Sequence, residues 1–235
     1  MTDCLFTSDM KVELVDSMGD DVSIARAAWV STKGERSDED ESPERISGLI
    51  NYLMKNRHSS PFEAVVLQYR ISAPIFVWRE FHRHRTASFN EVSGRYSVLE
   101  PKFYVPKTSR PLVQTGKNGQ YEFVGGTIEQ HKATVHSLVS TSTKAYLHYT
   151  ALLEQGIAKE VARMVLPVNI YSTCYVTMNA RNLMHFLSLR TTNAGSFFPS
   201  FPQHEIELVA QQMEERFSKV VPLTHAAFND YGRSV

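Results

Sequence analysis

Three arginines, a histidine, a carboxylate, two serines and an amide fall within the fourteen residues from Arg83 to Tyr96, RHRTASFNEVSGRY. A guanidinium presents a planar fork of N–H donors that suits phosphate oxygens and can also stack on a heterocycle. Gly94, between Ser93 and Arg95, permits close backbone approach to a ligand. The chemistry open to this stretch is therefore the holding of a phosphate together with a ring, and its bland counterpart is a solvated basic loop. His82-x-His84 has the look of a metal pair. No third His, Cys or carboxylate stands at a useful spacing, and Arg83 and Arg85 would repel a divalent cation, so no metal is expected. Ser93 lacks a histidine–carboxylate pair spaced to take its proton and reads as a phosphate ligand, not a nucleophile.

Four other places carry candidate groups. Ser31 closes a short helical stretch. His58, in Arg57-His58-Ser59-Ser60-Pro61-Phe62-Glu63, sits where a helix ends and could serve as a cap favoured by the helix dipole. Arg163 stands in the otherwise apolar run VARMVLP, where a buried guanidinium would need a partner, a structural ion pair being the plain reading. In Asn179 to Arg190, Asn179 is placed to cap a helix. Asn182, His185 and Leu189 recur at helical spacing, and Arg190 closes the last turn.

The central stretch fits RHRxxSxNxxSxRY at every specified position, and in this it resembles the flavin-dependent thymidylate synthases. Further likenesses are His58-Ser59-Ser60-Pro61-Phe62-Glu63, Ala162-Arg163-Met164-Val165-Leu166-Pro167 and the run from Asn179 to Arg190, so the resemblance extends from about Val12 to about Ile206. It implies an FAD shell of Ser31, His58, Ser60, Glu63, Arg83, His84, Arg85, Glu91, Asn179, Arg181 and His185. It implies a dUMP set of Glu80, Arg83, Glu91, Ser93, Gly94, Arg95, Arg163 and Arg190, with Arg190 on the uracil ring as the catalytic group. At position 185 the family often has asparagine. The likeness breaks after Arg190, where Thr191 to Pro202 intervenes and Phe201 occupies a position at which members often have histidine.

What the resemblance implies is a reductive methylation of dUMP to dTMP. Methylenetetrahydrofolate would give the carbon and NADPH the electrons through FAD, in a homotetramer with sites at subunit interfaces. Neither Cys4 nor Cys174 follows a proline, the pairing typical of the cysteine-dependent class of thymidylate synthase, and both are expected to be free thiols. Without a thiol adding to the pyrimidine, charge developing on the ring oxygens has to be met directly, and Arg190 is the group for that work. A reading from another class stays open: a non-catalytic RNA or nucleotide-binding module in which the arginine loop clamps phosphates while Trp78, Phe89 and Tyr96 stack on bases.

Bulk properties narrow the setting. Lysine plus arginine and aspartate plus glutamate are both 25, so no global basic field favours sequence-independent nucleic-acid binding. Positive charge is local, with four arginines against two glutamates over residues 79 to 95. The start of the chain lacks the pattern of a secretory leader, and no apolar run approaches the roughly 18 residues that cross a bilayer, so a cytoplasmic protein without a membrane partner is expected.

The elements that must position these groups read as an α+β fold, a single domain over 1–235 with an antiparallel or mixed sheet flanked by helices and a long-helix bundle. Val12–Val15 is expected as a strand, and Ser23–Val30 as a helix with Ile24, Ala27 and Ala28 inward. After a charged loop over 34–42, Ser42-Pro43 opens a helix to about Asn56. Alternation from Ala64 to Ser72 reads as a half-buried strand, and Pro74 starts a helix. Phe103–Val105 is a strand, and 107–126 is a surface excursion with a hairpin at Asn118-Gly119. A long helix from Thr127 to Glu154 ends at Gly156. A helix over Ala158–Leu166 stops at Pro167, a strand spans Tyr171–Met178, and a last helix over Glu205–Phe217 precedes a polar tail at 220–235.

Overall fold

A computed structural model of the chain describes residues 3–33, 42–117 and 120–234. In chain order the strands and helices are β1 (Leu5–Thr7), β2 (Lys11–Met18), α1 (Asp21–Lys33), α2 (Pro43–Lys55), β3 (Val66–Pro74), α3 (Ile75–Phe81) and β4 (Ser88–Glu91). There follow β5 (Lys102–Tyr104), β6 (Val113–Lys117), β7 (Gln120–Val124), α4 (Ile128–Glu154), α5 (Lys159–Ala162), β8 (Tyr171–Asn179), α6 (Ala180–Arg190), α7 (His204–Val220) and α8 (Pro222–Asp230). Short 3-10 turns cover Ser60–Ala64 and Arg163–Val165. The fold class is α+β, with a four-stranded sheet in the order β2-β3-β8-β4 and two small pairs, β1 with β5 and β6 with β7.

β3 and β8 run antiparallel. Gln68 Nε2 donates to Thr177 Oγ1 across the pair, and the backbone bonds Ala180 N to Val65 O and Ile75 N to Ile170 O close its two ends. The alternation expected of both strands is present: Leu67, Tyr69 and Ile71, like Cys174, Val176 and Met178, are buried, while Tyr175 is exposed. An extended chain turns successive side chains to opposite faces, so one face of each strand enters the core.

The chain divides into two compact units, one of Met1–Met10, Ser72–Arg79 and Glu91–Thr173, the other of Lys11–Ile71, Glu80–Asn90 and Cys174–Val235. In the first, β1 and β5 pair in parallel, and Phe103, Tyr146, Tyr149, Ala162 and Ile170 form the core with Phe6, Leu99 and Leu166 against it. α4 begins with a reciprocal capping box, Thr127 Oγ1 accepting from Gln130 N and Gln130 Oε1 from Thr127 N. It ends before Gly156, whose φ of +79° is the left-handed turn for which glycine has no Cβ penalty. Two α4 tyrosines then grip the chain beyond the arginine loop: Tyr146 OH donates to Leu99 O, and Tyr149 OH accepts from Leu99 N.

In the second unit α7 packs against β2, α6 and α8, and α1 packs against α2 and the 60–64 turn. Phe81 and Phe186 stack at 4.5 Å, tying the end of α3 to the middle of α6. α2 is capped by Ser42 with Pro43 in its first turn. Its other end closes with His58 N on Leu53 O and Arg57 N on Met54 O, which puts Arg57 at φ +56°. Glycine usually takes that place, and an arginine there carries backbone strain.

Several expectations need correction. Ala27 is exposed, and the inward residues of α1 are Ile24 and Ala25. The helix expected over 158–166 breaks into α5 and the 163–165 turn, because Leu166, which precedes Pro167, is forced into the extended region. The 220–235 segment is no polar tail: it carries α8, with Thr224, Ala227 and Phe228 buried. The excursion at 107–126 does hold an antiparallel pair, β6 with β7, though Asn118-Gly119 lies outside the described residues, as does most of the 34–42 loop.

Candidate active site

The candidate residues fall into two groups, one in each unit. In the second unit α6 carries groups at both ends. At its start Asn179 Oδ1 accepts from Asn182 N, the N-cap expected of it. Arg181 Nη1 then pairs with Glu63 Oε1 at 2.5 Å, and Asn182 Nδ2 donates to Thr86 O. These residues and His185 line an open cavity of about 450 Å³. Glu63, Asn179, Arg181 and His185 were singled out from sequence, whereas Thr86 and Asn182 were not assigned a role. Asn182 was noted only for recurring at helical spacing with His185, three residues on along the same helical face.

At the far end of α6, Arg190 is held by three hydrogen bonds. Its Nε donates to His84 Nε2 at 3.0 Å, Nη1 to Glu80 Oε2 at 2.9 Å, and Nη2 to Glu80 O at 3.4 Å. The same Glu80 carbonyl accepts from Arg83 N, so the first residue of the motif and Arg190 meet at one oxygen. A guanidinium has five N–H groups, and two of Arg190's remain for a ligand. Its side chain is 18% exposed and that of Glu80 44%, so the pair sits at the edge of the solvent.

The His84 side chain is buried, packed edge-on against Phe186. Burial first, and then the cations or rings of Arg190 and His185, lower its pKa from 6.5 to about 4. It is therefore neutral at pH 7, and since Nε2 accepts from Arg190 its proton resides on Nδ1. Arg83 and Arg85 are exposed, and among the described residues their guanidinium groups have no partner. His58 and Ser60 are exposed at the head of the 60–64 turn, with His58 edge-on to Tyr52. Ser31 Oγ donates to Ala28 O in its own helix.

The second group lies in the first unit. Ser93 O accepts from Tyr96 N and Ser97 N, and Ser93 Oγ from Arg95 N. Arg95 Nε pairs with Glu160 Oε2 at 2.9 Å, and Lys159 Nζ donates to Tyr96 O. Gly94 is buried because the stem of Arg163 crosses it: a Cβ there would stand 3.1 Å from Arg163 Cδ and 3.2 Å from Leu99 Cδ1. Arg163 itself is exposed, which corrects the expectation of a buried arginine in need of an ion pair. The run VARMVLP is apolar in composition, yet Val161, Met164 and Val165 are exposed along with it. Glu91 is exposed at the end of β4.

Comparison with known proteins bears on this arrangement. The family model described as thymidylate synthase complementing protein matches residues 13–223, which contain every candidate from Ser31 to Arg190. The flavin-dependent thymidylate synthase of Streptomyces coelicolor is 52% identical over 229 residues, 96% of this chain and 93% of that protein. The protein of the same name from Thermus thermophilus is 42% identical over 94% of this chain and 76% of its own length. The chain belongs to the flavin-dependent thymidylate synthase family.

Members of this family are enzymes that transfer a one-carbon group, and the fold agrees with a solved example. A UMP/dUMP methylase, PolB from Streptomyces cacaoi, superposes with a TM-score of 0.90 at 47% identity over 98% of both chains in its structure with 5-Br UMP bound. Its structure with 5-Br dUMP gives 0.91 at 48%. The family match runs past Ile206, where the resemblance read from motifs stopped, and takes in α7 and the start of α8. Among the described residues no helix is long and apolar enough to cross a membrane.

Proposed function

We propose that this enzyme converts dUMP to dTMP by reductive methylation, with methylenetetrahydrofolate as carbon donor and NADPH as the source of electrons through FAD. The observation that carries the reading is the anchorage of Arg190. One cation is fixed by a neutral imidazole and a carboxylate at the end of the same helix whose start lines the cavity, leaving two N–H groups unused. The lining of that cavity fits a flavin in its chemistry: two amides, a guanidinium and an imidazole supply donors and acceptors for a heterocycle edge and a diphosphate, and the Glu63 carboxylate, which also lines it, is met by Arg181. Asn179, Arg181, Asn182 and His185 would hold it, with Ser31, His58, Ser60, Glu63, His84 and Arg85 around them, and Arg83 and Glu91 shared with the substrate. When bound, the flavin supplies the two-electron reduction.

The work left to the chain is binding and charge stabilisation. Ser93, Gly94, Arg95 and Arg163 would take the phosphate and sugar, with the close approach that Gly94 allows. For Arg95 this means sharing its guanidinium between Glu160 and the ligand, which its remaining N–H groups permit. Arg190 would meet the pyrimidine edge, where negative charge grows as C5 becomes nucleophilic. A preorganised donor at such a position contributes about 3–4 kcal/mol to the transition state. Glu80 orients Arg190, and His84 does so without adding a second positive charge beside it.

The naming of relatives as flavin-dependent thymidylate synthases and the binding of 5-Br UMP and 5-Br dUMP by PolB support this reading. We also read the chain as one catalytic domain, since the family match runs through stretches of both units, acting in the cytoplasm as a homotetramer with sites completed by neighbouring copies. Purified protein tests the function: it should take up a yellow flavin and oxidise NADPH faster when dUMP is added. A colourless protein that binds RNA with a steep salt dependence would refute it.

A further inference from the structure

Ten residues past the end of the family match, the chain buries an arginine. The Arg233 side chain is 1% exposed, and its charge is met by Glu214 through two bonds, Nη1 to Oε1 at 2.7 Å and Nη2 to Oε2 at 2.9 Å. Nη1 also donates to Asn229 Oδ1, and the guanidinium lies 4.6 Å over the Phe228 ring. His225 shares Glu214 Oε1. The arrangement is costly: Arg233 sits at φ +54°, and its buried Nε has no partner among the described residues. A buried ion pair of this kind adds little net stability over apolar packing, and its best-attested use is to fix one arrangement among several.

Among the described residues, the one polar bond that Arg233 makes outside α7 and α8 shows what is being fixed. Nη2 donates to Thr191 Oγ1 at 2.8 Å. Thr191 is buried, follows Arg190 directly and caps α6, its N and Oγ1 both donating to Leu187 O. Its carbonyl accepts from Ser200 Oγ, and Thr192 N donates to Glu207 Oε1. Beside it Phe197 N donates to Gly232 O, and the Phe197 ring fills the space that a side chain at position 232 would need. The segment 191–200 is thus held from the C-terminal end of the chain.

We propose that Arg233 is a positioning residue for Arg190. The guanidinium of Arg190 is set by Glu80 and His84, and the backbone from which it departs is set by Thr191 through Arg233 and Glu214. A long arginine side chain transmits a small rotation at its Cα as a large displacement at its tip, and displacement of about 1 Å in a positioning group is enough to cost a hundredfold. The inference rests on the proposed role of Arg190 toward the substrate.

The test measures the dissociation constant for dUMP in flavin-loaded enzyme, well below each variant's Tm. Arg233→Lys keeps the charge but loses the fork, and Thr191→Val removes the acceptor while leaving the Arg233–Glu214 pair in place. Each should weaken dUMP binding about tenfold with flavin content unchanged, and Thr191→Ser should restore it. In an Arg190→Ala background neither substitution should weaken binding further. The proposal is overturned if both variants lower Tm yet bind dUMP as the parent does, or if they weaken binding equally with and without Arg190. Should Arg190→Ala alone leave dUMP affinity intact, this inference is overturned; should it leave single-turnover methylation intact as well, the proposed role of Arg190 fails with it.

Discussion

Truncating Arg190 to alanine removes a cation held by Glu80 and His84 at 2.9 and 3.0 Å. If its two spare N–H groups meet the pyrimidine edge, the loss of about 3–4 kcal/mol of transition-state stabilisation corresponds to a rate reduced by roughly 10²–10³. The cost to the fold is much smaller. Glu80 is 44% exposed and is rehydrated once unpaired. The lost bonds then amount to about 1–2 kcal/mol, or a Tm lower by roughly 2–8 °C for a chain of this size. A second readout follows from the electrostatics. Burial is the larger cause of the low His84 pKa and remains in the variant, but the Arg190 contribution goes, so the imidazole should titrate above its present value of about 4 without reaching 6.5. The assays are single-turnover methylation, flavin absorbance per chain, and imidazole titration by NMR. The reasoning is refuted if the variant methylates at more than about a tenth of the parent rate. It is also refuted if the flavin is lost, which would move Arg190 into the flavin shell, or if His84 does not respond.

Three further outcomes follow from the same geometry. His84 has a folded pKa below its unfolded one, so the unfolded chain binds the extra proton between pH 6.5 and about 4; stability is full above 6.5 and falls as the pH drops through that window. Solvent at the ring edge reduces the full linkage to about 1–2 kcal/mol. His84→Gln, which can still accept from Arg190, should flatten that part of the curve in denaturant titrations, and an unchanged slope would show that His84 is not its source. Glu214→Gln should cost about 3–5 kcal/mol by leaving Arg233 without its counter-charge, read as a Tm lower by roughly 6–20 °C; a shift under a few degrees would mean that solvent reaches the pair. Burial raises the Glu214 pKa, but bonds from His225 and Arg233 outweigh it and bring the value to about 2, so this pair's contribution is present above 4.5 and lost as pH falls toward 2. Gly94→Ala should push the Arg163 stem aside and raise KM for dUMP several-fold with little change in Tm, and an unaltered KM would remove Gly94 and Arg163 from the phosphate site.

Local signals carried much of the architecture. The Asn179 cap, the alternation in β3 and the Thr127 to Gly156 helix depend on neighbours within a few residues, and each appears where periodicity and capping place it. The motif residues were legible for the same reason. What escaped depends on partners far along the chain. α8 has no side-chain cap of its own. Asp21 supplies one from the start of α1, accepting from Leu223 N, Thr224 N and Thr224 Oγ1, and no local pattern encodes a partner some two hundred residues away. β1 is three residues long and acquires its identity from parallel pairing with β5. Glu80 was placed on the substrate from the resemblance, but its grip on Arg190 spans 110 residues. Arg163 misled because apolar composition was taken for burial, when the turn at 163–165 puts Met164 and Val165 at the surface.

The central claim is that a cation at the end of α6 acts on the uracil of dUMP during methylation at C5. Release of tritium from C5-labelled dUMP by flavin-loaded enzyme, with methylenetetrahydrofolate and NADPH present, tests it most directly. The account predicts release that requires all three partners and falls by roughly 10²–10³ in Arg190→Ala. Release at the parent rate in that variant, or none from the parent enzyme, would contradict it.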